Sequence, residues 1–369
     1  MRVALVHDYL NQLGGEERVL RVLADMFPRA PIYCAVYDNE RTAGIFEDRD
    51  IVTSWMQNLP FSSSHHRLLS GLMPFTVESL DLRDFDLVIS STASFVKGIL
   101  LKPGASHVCY LNTPTRFLWD DSVSYLKRSF VPSGFQSLAS FALSLTRGWD
   151  YQASKRPDYL IANSEFVSRR IQKYYKRKAQ VIYPPVEIGK FSINTTSRIE
   201  DDYYLMVGRL IDYKRFDLGI GACNKLGKKL KIAGLGPEYL NLKSISGSNV
   251  EFLGYVSELE LRNLYAGAKA LIWPQEEDFG IVQVEALASG CPVIALSAGG
   301  ALEVVREGMN GVFFDSQDLG SVVEAINRFE LSRFDSVAIT KSAQKFDKRY
   351  FIEGFSKYIN ELKVHNLLS

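Results

Sequence analysis

Short apolar runs alternate with helix-length segments along the whole chain. In the first half, the runs predicted to be strands are Val3–Val6, Ile32–Val36, Leu87–Ser90, Val108–Leu111, Tyr159–Ala162 and Val181–Tyr183. In the second half, they are Tyr204–Val207, Leu230–Ala233, Val250–Leu253, Ala270–Trp273, Val293–Leu296 and Val312–Phe314. Such an alternation is typical of parallel sheets covered by helices. The pattern therefore predicts an α/β protein with doubly wound, Rossmann-like sheets.

A break in this pattern divides the chain into two predicted domains. Tyr183-Pro-Pro-Val186 ends the first series of strands, and a polar stretch, residues 194–202, follows it as a linker. We expect Rossmann-like domains at residues 1–183 and 184–346, with a last helix beginning near Asp347 in the tail 347–369. Ligands of doubly wound sheets bind beyond the carboxyl ends of the strands, so two such domains facing each other would form a binding cleft.

Length and composition agree with two domains of moderate size. The chain has 369 residues and a net charge of +1, so bulk charge gives no argument for nucleic acid. Its cysteines, Cys34, Cys109, Cys223 and Cys291, are scattered, which indicates neither a zinc site nor a disulfide framework. Met1–His7 reads as a strand rather than a signal peptide, and no stretch is suited to cross a bilayer. The predicted location is cytoplasmic.

The segment from Glu277 to Glu285 carries the strongest functional signal. The two carboxylates have seven residues between them, enclose Phe279 and Gly280, and follow the predicted strand Ala270–Trp273. One carboxylate can accept hydrogen bonds from hydroxyls on one side of a bound diphosphate, and the other from hydroxyls on the far side. A nucleotide-sugar has that order of ribose, diphosphate and sugar. The alternative is a turn whose acids only favour the helix start.

The helix that follows this turn offers a place for a phosphate. Ile281–Leu287 is predicted to be helical. Gly280 lets a ligand approach the helix N-terminus, where the free N–H groups of Ile281 and Val282 suit a phosphate.

A basic loop after the strand Tyr204–Val207 predicts a second phosphate contact. This loop is Gly208–Arg215. Arg209 can chelate phosphate with two hydrogen bonds, and Lys214 adds a point charge. Two positive charges would stabilise a departing diphosphate without a divalent metal, so no metal or other cofactor is expected. The alternative is a solvated basic loop.

Glycine turns mark two further candidate contacts. Gly234 lies in the strand-to-helix turn Ala233–Glu238, which allows close backbone approach but lacks the dinucleotide fingerprint. Gly14 and Gly15 follow the first strand and open a helix, so backbone amides there could meet a phosphate or sugar. At both places a plain turn is the alternative.

Two polar residues end the first strand. His7 and Asp8 lie at its carboxyl end, where the active-site groups of such sheets belong. Both are therefore candidate contacts, and the alternative is that either only caps the following turn.

Several of these motifs resemble family signatures. The run Glu277–Ala295 resembles the nucleotide-sugar signature of retaining glycosyltransferases with the GT-B fold, and Arg209 and Lys214 match that family's Gly-Arg…Lys element. The segment Cys109–Asp120 resembles the His-Thr-Pro-X-Arg element of bacterial O-antigen and exopolysaccharide mannosyltransferases. Asn112 stands where that family has histidine. Asparagine can hydrogen-bond but carries no proton at neutral pH, so the departure bears on the donor sugar.

The resemblance implies a reaction and a role for each site. The reaction is retaining, metal-independent transfer of a hexose, foremost mannose from GDP-mannose, to a lipid-linked glycan in O-antigen, capsule or exopolysaccharide synthesis. The implied catalytic residues are Arg209, Lys214, Glu277 and Asn112. The implied donor contacts are Gly14, Gly15, Gly208, Gly234, Val256, Phe279, Gly280, Ile281, Val282 and Glu285, with Glu285 on the ribose. The implied acceptor contacts are His7, Asp8, Arg116 and Asp120, and the last helix would cross back onto the first domain.

Two segments are candidates for membrane contact at the inner face of the cell membrane. Arg169–Lys178 holds six positive charges in ten residues, and at helical spacing several share a face that could meet anionic lipid or a lipid diphosphate. A solvated face and a nucleic-acid patch are its alternatives. The uncharged stretch Ser129–Thr146 is either an interfacial element or a packed loop and helix.

Other functions are compatible with parts of this pattern. A GT-B epimerase or hydrolase would need an acid/base pair, which no histidine motif supplies. A scaffold that binds nucleotide-sugar or glycan without catalysis is favoured only by Asn112. A Rossmann oxidoreductase lacks its glycine fingerprint.

Overall fold

The chain forms two compact α/β units in the computed structural model, which describes residues 1–60, 62, 66–120, 136–191 and 202–364. Unit 1 consists of Met1–Pro185 and the C-terminal segment from Phe351, and unit 2 of Val186–Tyr350. Of the predicted linker, residues 194–201 lie outside the described residues, as do 129–135 of the uncharged stretch and 365–369 of the tail.

Unit 1 is built on a parallel sheet. Its strands are β1 Val3–His7, β2 Ile32–Cys34, β3 Ile51–Thr53, β4 Leu87–Thr92, β5 Ser106–Leu111, β6 Tyr159–Ala162 and β7 Gln180–Val181. Their order is β3-β2-β1-β4-β5-β6-β7, so the winding reverses between β1 and β4. The connecting helices are α1 Gly15–Met26, α2 Met73–Glu78, α3 Arg116–Trp119, α4 Gln136–Ala153 and α5 Glu165–Tyr175.

Unit 2 repeats the same plan. Its strands are β8 Tyr204–Val207, β9 Leu230–Ala233, β10 Val250–Gly254, β11 Leu271–Trp273, β12 Val293–Leu296 and β13 Gly311–Phe314, in the order β10-β9-β8-β11-β12-β13. Its helices are α6 Ile188–Phe191, α7 Phe216–Leu226, α8 Tyr239–Ser244, α9 Glu258–Gly267, α10 Ile281–Ala288, α11 Ala301–Val304, α12 Leu319–Glu330 and α13 Ser336–Ala343. The reversal of winding between β8 and β11 opens a crevice at the carboxyl ends of these strands.

The predicted doubly wound α/β class is confirmed, and the differences are local. Strand β3, Ile51–Thr53, was not predicted, because three half-buried residues give too short an apolar run. The predicted strand Val181–Tyr183 is instead Gln180–Val181. The two prolines that follow Tyr183 have no N–H group to donate, so the ladder ends before them.

The last helix, α14 Lys348–Val364, adds an aromatic face to the core of unit 1. Phe351, Phe355 and Ile359 recur at every fourth position and are buried. The Phe351 ring meets Tyr110 of β5 edge-on, with 5.7 Å between ring centroids. This four-residue spacing places the apolar side chains on one stripe of the helix, which is why it covers the sheet.

A buried ion pair fixes the start of helix α1. The N–H of Gly14 donates to Glu17 Oε2 at 2.7 Å, and Glu17 Oε1 lies 3.9 Å from Nε2 of His7. His7 Nδ1 is 2.8 Å from the carbonyl oxygen of Ser91. Burial alone would lower the pKa of His7, but the Glu17 carboxylate outweighs burial and the pKa is raised above 6.5. His7 is therefore best accommodated as a cation, with Nδ1 donating to Ser91 and Nε2 in an ion pair with Glu17.

We predict that the contribution of His7 to the free energy of unfolding falls as the pH rises above 6.5. Because its folded pKa is raised, its contribution is full below 6.5, the ordinary histidine value, and is lost as the pH passes its folded pKa. Urea unfolding of wild type and His7→Gln between pH 5 and 9 measures this. The free-energy difference between the two proteins should shrink with rising pH, and a constant difference would contradict the ion pair.

His107 provides a control of opposite sign. It lies in β5 with its Nε2 2.8 Å from Ser90 Oγ of β4, and burial lowers its pKa to about 3. Its neutral form is therefore favoured in the fold, and its contribution is lost as the pH falls below 6.5 toward 3. His107→Gln should flatten the acid side of the stability curve and leave the side above neutrality unchanged.

Candidate active site

In unit 2, the loops that carry Arg209 and Glu277 lie at the switch point of the sheet. Gly208 and Arg209 follow β8, and Glu277 follows β11, so both loops leave neighbouring strands at the same edge. Gly234, after β9, shows how tightly these loops pack. A Cβ at Gly234 would lie 1.9 Å from the carbonyl oxygen of Gly208, and its φ of +148° also favours glycine. The close backbone approach predicted for Gly234 is thus made with the neighbouring loop.

Lys214 and Glu277 form an ion pair at this edge. Lys214 Nζ lies 2.9 Å from Glu277 Oε1, and the Nζ is 5.6 Å from the centroid of the Trp273 ring. Burial alone would lower the pKa of Lys214, but the Glu277 carboxylate outweighs burial and the pKa is raised above 10.5. The positive charge of Arg209 acts on Lys214 in the opposite sense, which places both cations in one electrostatic field. Lys214 is therefore kept positively charged at a place where an anion could bind.

Glu285 is buried in helix α10, which follows the Glu277 loop. Its side chain in α10 accepts a hydrogen bond from the hydroxyl of Tyr265 in α9 at 3.2 Å. Both residues are almost fully enclosed, with 2% of Glu285 and none of Tyr265 exposed. Tyr265 therefore orients the carboxylate, and the sequence pattern gave no sign of that partner.

At the N-terminus of α10, a buried polar side chain has no hydrogen-bond partner among the described residues. Gly280 precedes the helix with a φ of +91° and has no side chain to cap it, and Ile281 and Val282 are half-buried. Within the described chain, neither amide atom of the fully buried Gln283 has a hydrogen-bond partner. A Cβ at Gly280 would lie 2.4 Å from Gln283 Nε2, so the glycine leaves room for this side chain. Gln283 is a polar group that the sequence analysis missed.

Phe279 and Val256 were also predicted to contact the donor. The Phe279 ring is 3% exposed and meets Phe346 edge-on, with 5.2 Å between centroids. It packs the Glu277 loop onto unit 2. Val256 follows β10 and is half-buried beside the exposed Tyr255.

In unit 1, Asp8 clamps the loop after β4. Its carboxylate accepts hydrogen bonds from the hydroxyl of Thr92 and from the backbone N–H groups of Ala93, Ser94, Phe95 and Val96, at 2.7 to 3.0 Å. Five donors occupy the lone pairs of both oxygens, which leaves no capacity for a substrate hydroxyl. Asp8 therefore stabilises the loop after β4 and, contrary to the prediction, has no free acceptor atom for the acceptor substrate.

The other unit 1 candidates are held by neighbouring side chains. The Gly14 N–H is taken by Glu17, so it is not directed at a phosphate, and Gly15 begins helix α1. Asn112 is buried after β5, and its amide donates to Ser91 Oγ at 3.3 Å. Asp120 accepts from Arg170 and from the Tyr174 hydroxyl. Arg116 begins helix α3 and is half-buried.

The basic segment Arg169–Lys178 is less uniform than its sequence suggested. Arg170 is buried against Asp120, and Arg177 donates to the backbone carbonyls of Ser154, Pro157 and Asp158. Four cations stay exposed: Arg169, Lys173, Lys176 and Lys178. Of the six cations, only Arg169 and Lys173 are both exposed and within helix α5, which ends at Tyr175.

The apolar part of α4 is exposed. Leu138, Phe141 and Leu145 recur on one side of this helix with 64%, 62% and 61% of their surfaces exposed. The packed alternative for this stretch does not hold for these described residues. No helix in the described ranges is both long and apolar enough to cross a bilayer.

Comparison with known proteins covers both units. Residues 13–190 match the family Glycosyltransferase Family 4, and residues 190–348 match Glycosyl transferases group 1. An uncharacterized glycosyltransferase of Methanocaldococcus jannaschii is 31% identical over 173 residues, which cover 41% of this chain and 44% of the relative. The D-inositol 3-phosphate glycosyltransferase of Mycobacterium tuberculosis is 27% identical over 202 residues, covering 48% and 42%. The chain thus spans about half the length of these curated relatives.

Solved structures share the fold over nearly the whole chain. Anabaena HepE in complex with UDP-glucose superposes with a TM-score of 0.72 at 18% identity, covering 98% of this chain and all (100%) of that one. Sucrose-phosphate synthase from Thermosynechococcus elongatus gives a TM-score of 0.74 at 14% identity, covering 99% and 100%. With both units matched by glycosyltransferase families, the chain belongs to the glycosyltransferases of the GT-B fold.

Proposed function

We propose that the chain is a retaining glycosyltransferase that moves a hexose from a nucleoside diphosphate sugar to a saccharide hydroxyl. The observation that carries this proposal is the ion pair of Lys214 and Glu277 at the switch point of unit 2, with the charge of Arg209 acting on Lys214. The two cations at this edge of the sheet suit the diphosphate, while carboxylates suit the hydroxyls of ribose and sugar. Donor, acceptor and pathway are finer parts of the same proposal: GDP-mannose and a lipid-linked glycan of O-antigen, capsule or exopolysaccharide synthesis.

Each residue then has a defined task in the reaction. The bond from the anomeric carbon to the diphosphate oxygen breaks while the acceptor oxygen bonds to the same face, and the acceptor proton passes to the departing phosphate. Negative charge grows on that phosphate, where Arg209 and Lys214 stabilise it. When Lys214 moves from its ion pair with Glu277 to the phosphate, the Glu277 carboxylate accepts hydrogen bonds from sugar hydroxyls and orients the sugar. Glu285, fixed by Tyr265, receives the ribose hydroxyls.

A transfer assay tests this proposal. Wild type with GDP-mannose or UDP-glucose and a lipid-linked saccharide, in excess EDTA, should release nucleoside diphosphate and form a product with the donor's anomeric configuration, detected by NMR. Lys214→Met should lower kcat about 100- to 1,000-fold, because one charge on the leaving group is lost. Retained activity in this variant would contradict the role of Lys214, and the absence of transfer from either donor would favour a non-catalytic scaffold.

A matched lysine controls this experiment. Lys225 is exposed in helix α7 of the same unit, so Lys225→Met removes one charge without touching the switch point. Its kcat should equal that of wild type. Melting curves for Lys214→Met and for Lys214→Met/Glu277→Gln separate a lost catalytic charge from an unpaired carboxylate that destabilises the fold.

The lipid-linked acceptor is supported by the apolar stripe of α4. Leu138, Phe141 and Leu145 are exposed in α4, and the cations Arg169 and Lys173 are exposed in α5. Exposed apolar side chains together with cations are typical of proteins that bind at the surface of anionic bilayers. We propose that α4 contacts lipid.

Vesicle binding tests the lipid contact. Leu138→Ser/Phe141→Ser/Leu145→Ser should weaken co-sedimentation with phosphatidylglycerol vesicles about tenfold or more, because buried apolar area drives insertion. Leu240→Ser/Leu331→Ser is the control, since these unit 2 leucines are 77% and 88% exposed and should not affect binding. Equal binding by the α4 variant and wild type would contradict the proposal.

A further inference from the structure

A buried ion pair in unit 1 lies outside every predicted motif. Lys97 follows β4 and Asp150 lies near the end of α4, and neither side chain is exposed at all (0%). Lys97 Nζ lies 2.5 Å from Asp150 Oδ1. An isolated charge could not stay in such a place, so the pair must be held by further hydrogen bonds.

Both residues of this pair form hydrogen bonds with several segments of unit 1. Lys97 also donates to the carbonyl oxygen of Ser94 and, at 3.1 Å, to Thr115 Oγ1. Asp150 accepts from Thr115 Oγ1 at 2.7 Å, from Trp119 Nε1 at 2.8 Å and from the Tyr175 hydroxyl at 2.8 Å. The pair therefore joins the loop after β4, the segment after β5, helix α4 and helix α5.

The segment Thr115–Trp119 takes its position from this network. It carries Arg116 and leads to Asp120, the predicted acceptor contacts. Its outer end is held separately, by the stack of Trp119 on Tyr174 with 5.1 Å between ring centroids and 27° between planes. Its inner end is fixed through Lys97 to the loop that Asp8 clamps.

We propose that Lys97 and Asp150 are positioning residues for acceptor binding, holding the Thr115–Asp120 segment in its binding geometry. This inference rests on the proposed transferase function. An apolar pair of the same volume would fill the interior equally well and is often as stable as a buried ion pair. Unlike an apolar pair, the ion pair forms directional hydrogen bonds, which fix the orientation of Thr115 and Trp119 in one segment.

A charge-free replacement separates positioning from folding. Lys97→Met/Asp150→Leu leaves no unpaired charge and removes the acceptor of Thr115 and Trp119, so its melting temperature should fall less than that of Lys97→Met. Its KM for the acceptor should rise at least tenfold, while hydrolysis of the donor without acceptor keeps its kcat and KM. Lys97→Met alone leaves Asp150 unpaired and should lower the melting temperature.

Trp119→Phe is the milder test if the double variant does not fold. It removes only the hydrogen bond to Asp150 and keeps the aromatic stack, and it should raise the acceptor KM with donor hydrolysis unchanged. A wild-type acceptor KM in the double variant, or in Trp119→Phe where only that variant folds, overturns the positioning role. If wild type neither transfers nor hydrolyses any donor, the proposed function itself fails, and this inference fails with it.

Discussion

The ion pair of Lys214 with Glu277 depends on the strand order of unit 2, which brings together two segments that are distant in sequence. The two residues meet because β8 and β11 are neighbours, although β9 and β10 separate them along the chain. Only a sheet whose winding reverses at its centre brings these strands together and leaves their carboxyl ends open to a ligand. The close packing of Gly234 on Gly208 and the positive φ of Gly280 serve the same edge, because they let its loops approach without side chains between them.

Unit 1 achieves a comparable organisation with buried charge. Asp8 holds the loop after β4 by five hydrogen bonds, Glu17 holds the start of α1, and Lys97 with Asp150 holds the segment after β5. Loops at the carboxyl edge of a parallel sheet have few backbone partners of their own, so side-chain acceptors must satisfy their N–H groups. The cost of burying these charges is offset when each has hydrogen-bond or ion-pair partners, as Asp8, Glu17, Lys97 and Asp150 have.

The sequence predicted the fold class because strands buried on both faces leave continuous apolar runs, which is how β8, β9 and β12 were placed at their observed ends. It also singled out Lys214 and Glu277, because a charged residue after a strand is a local signal. It did not reveal Tyr265, Gln283, Lys97 or Asp150. Each of these acts through a partner distant in sequence or through burial, and neither property has a local pattern. Asp8 shows the converse case, in which a residue well placed for chemistry is committed to the fold.

The central claim is that the switch point of unit 2 binds a nucleoside diphosphate, and calorimetric titration with GDP and UDP tests it most directly. We expect micromolar binding, about −8 kcal/mol, with GDP favoured. Affinity should fall tenfold or more in Glu285→Gln and less in Tyr265→Phe, which keeps the carboxylate and removes only the hydroxyl that orients it. Binding of neither nucleotide, or binding unchanged in Glu285→Gln, would contradict the account.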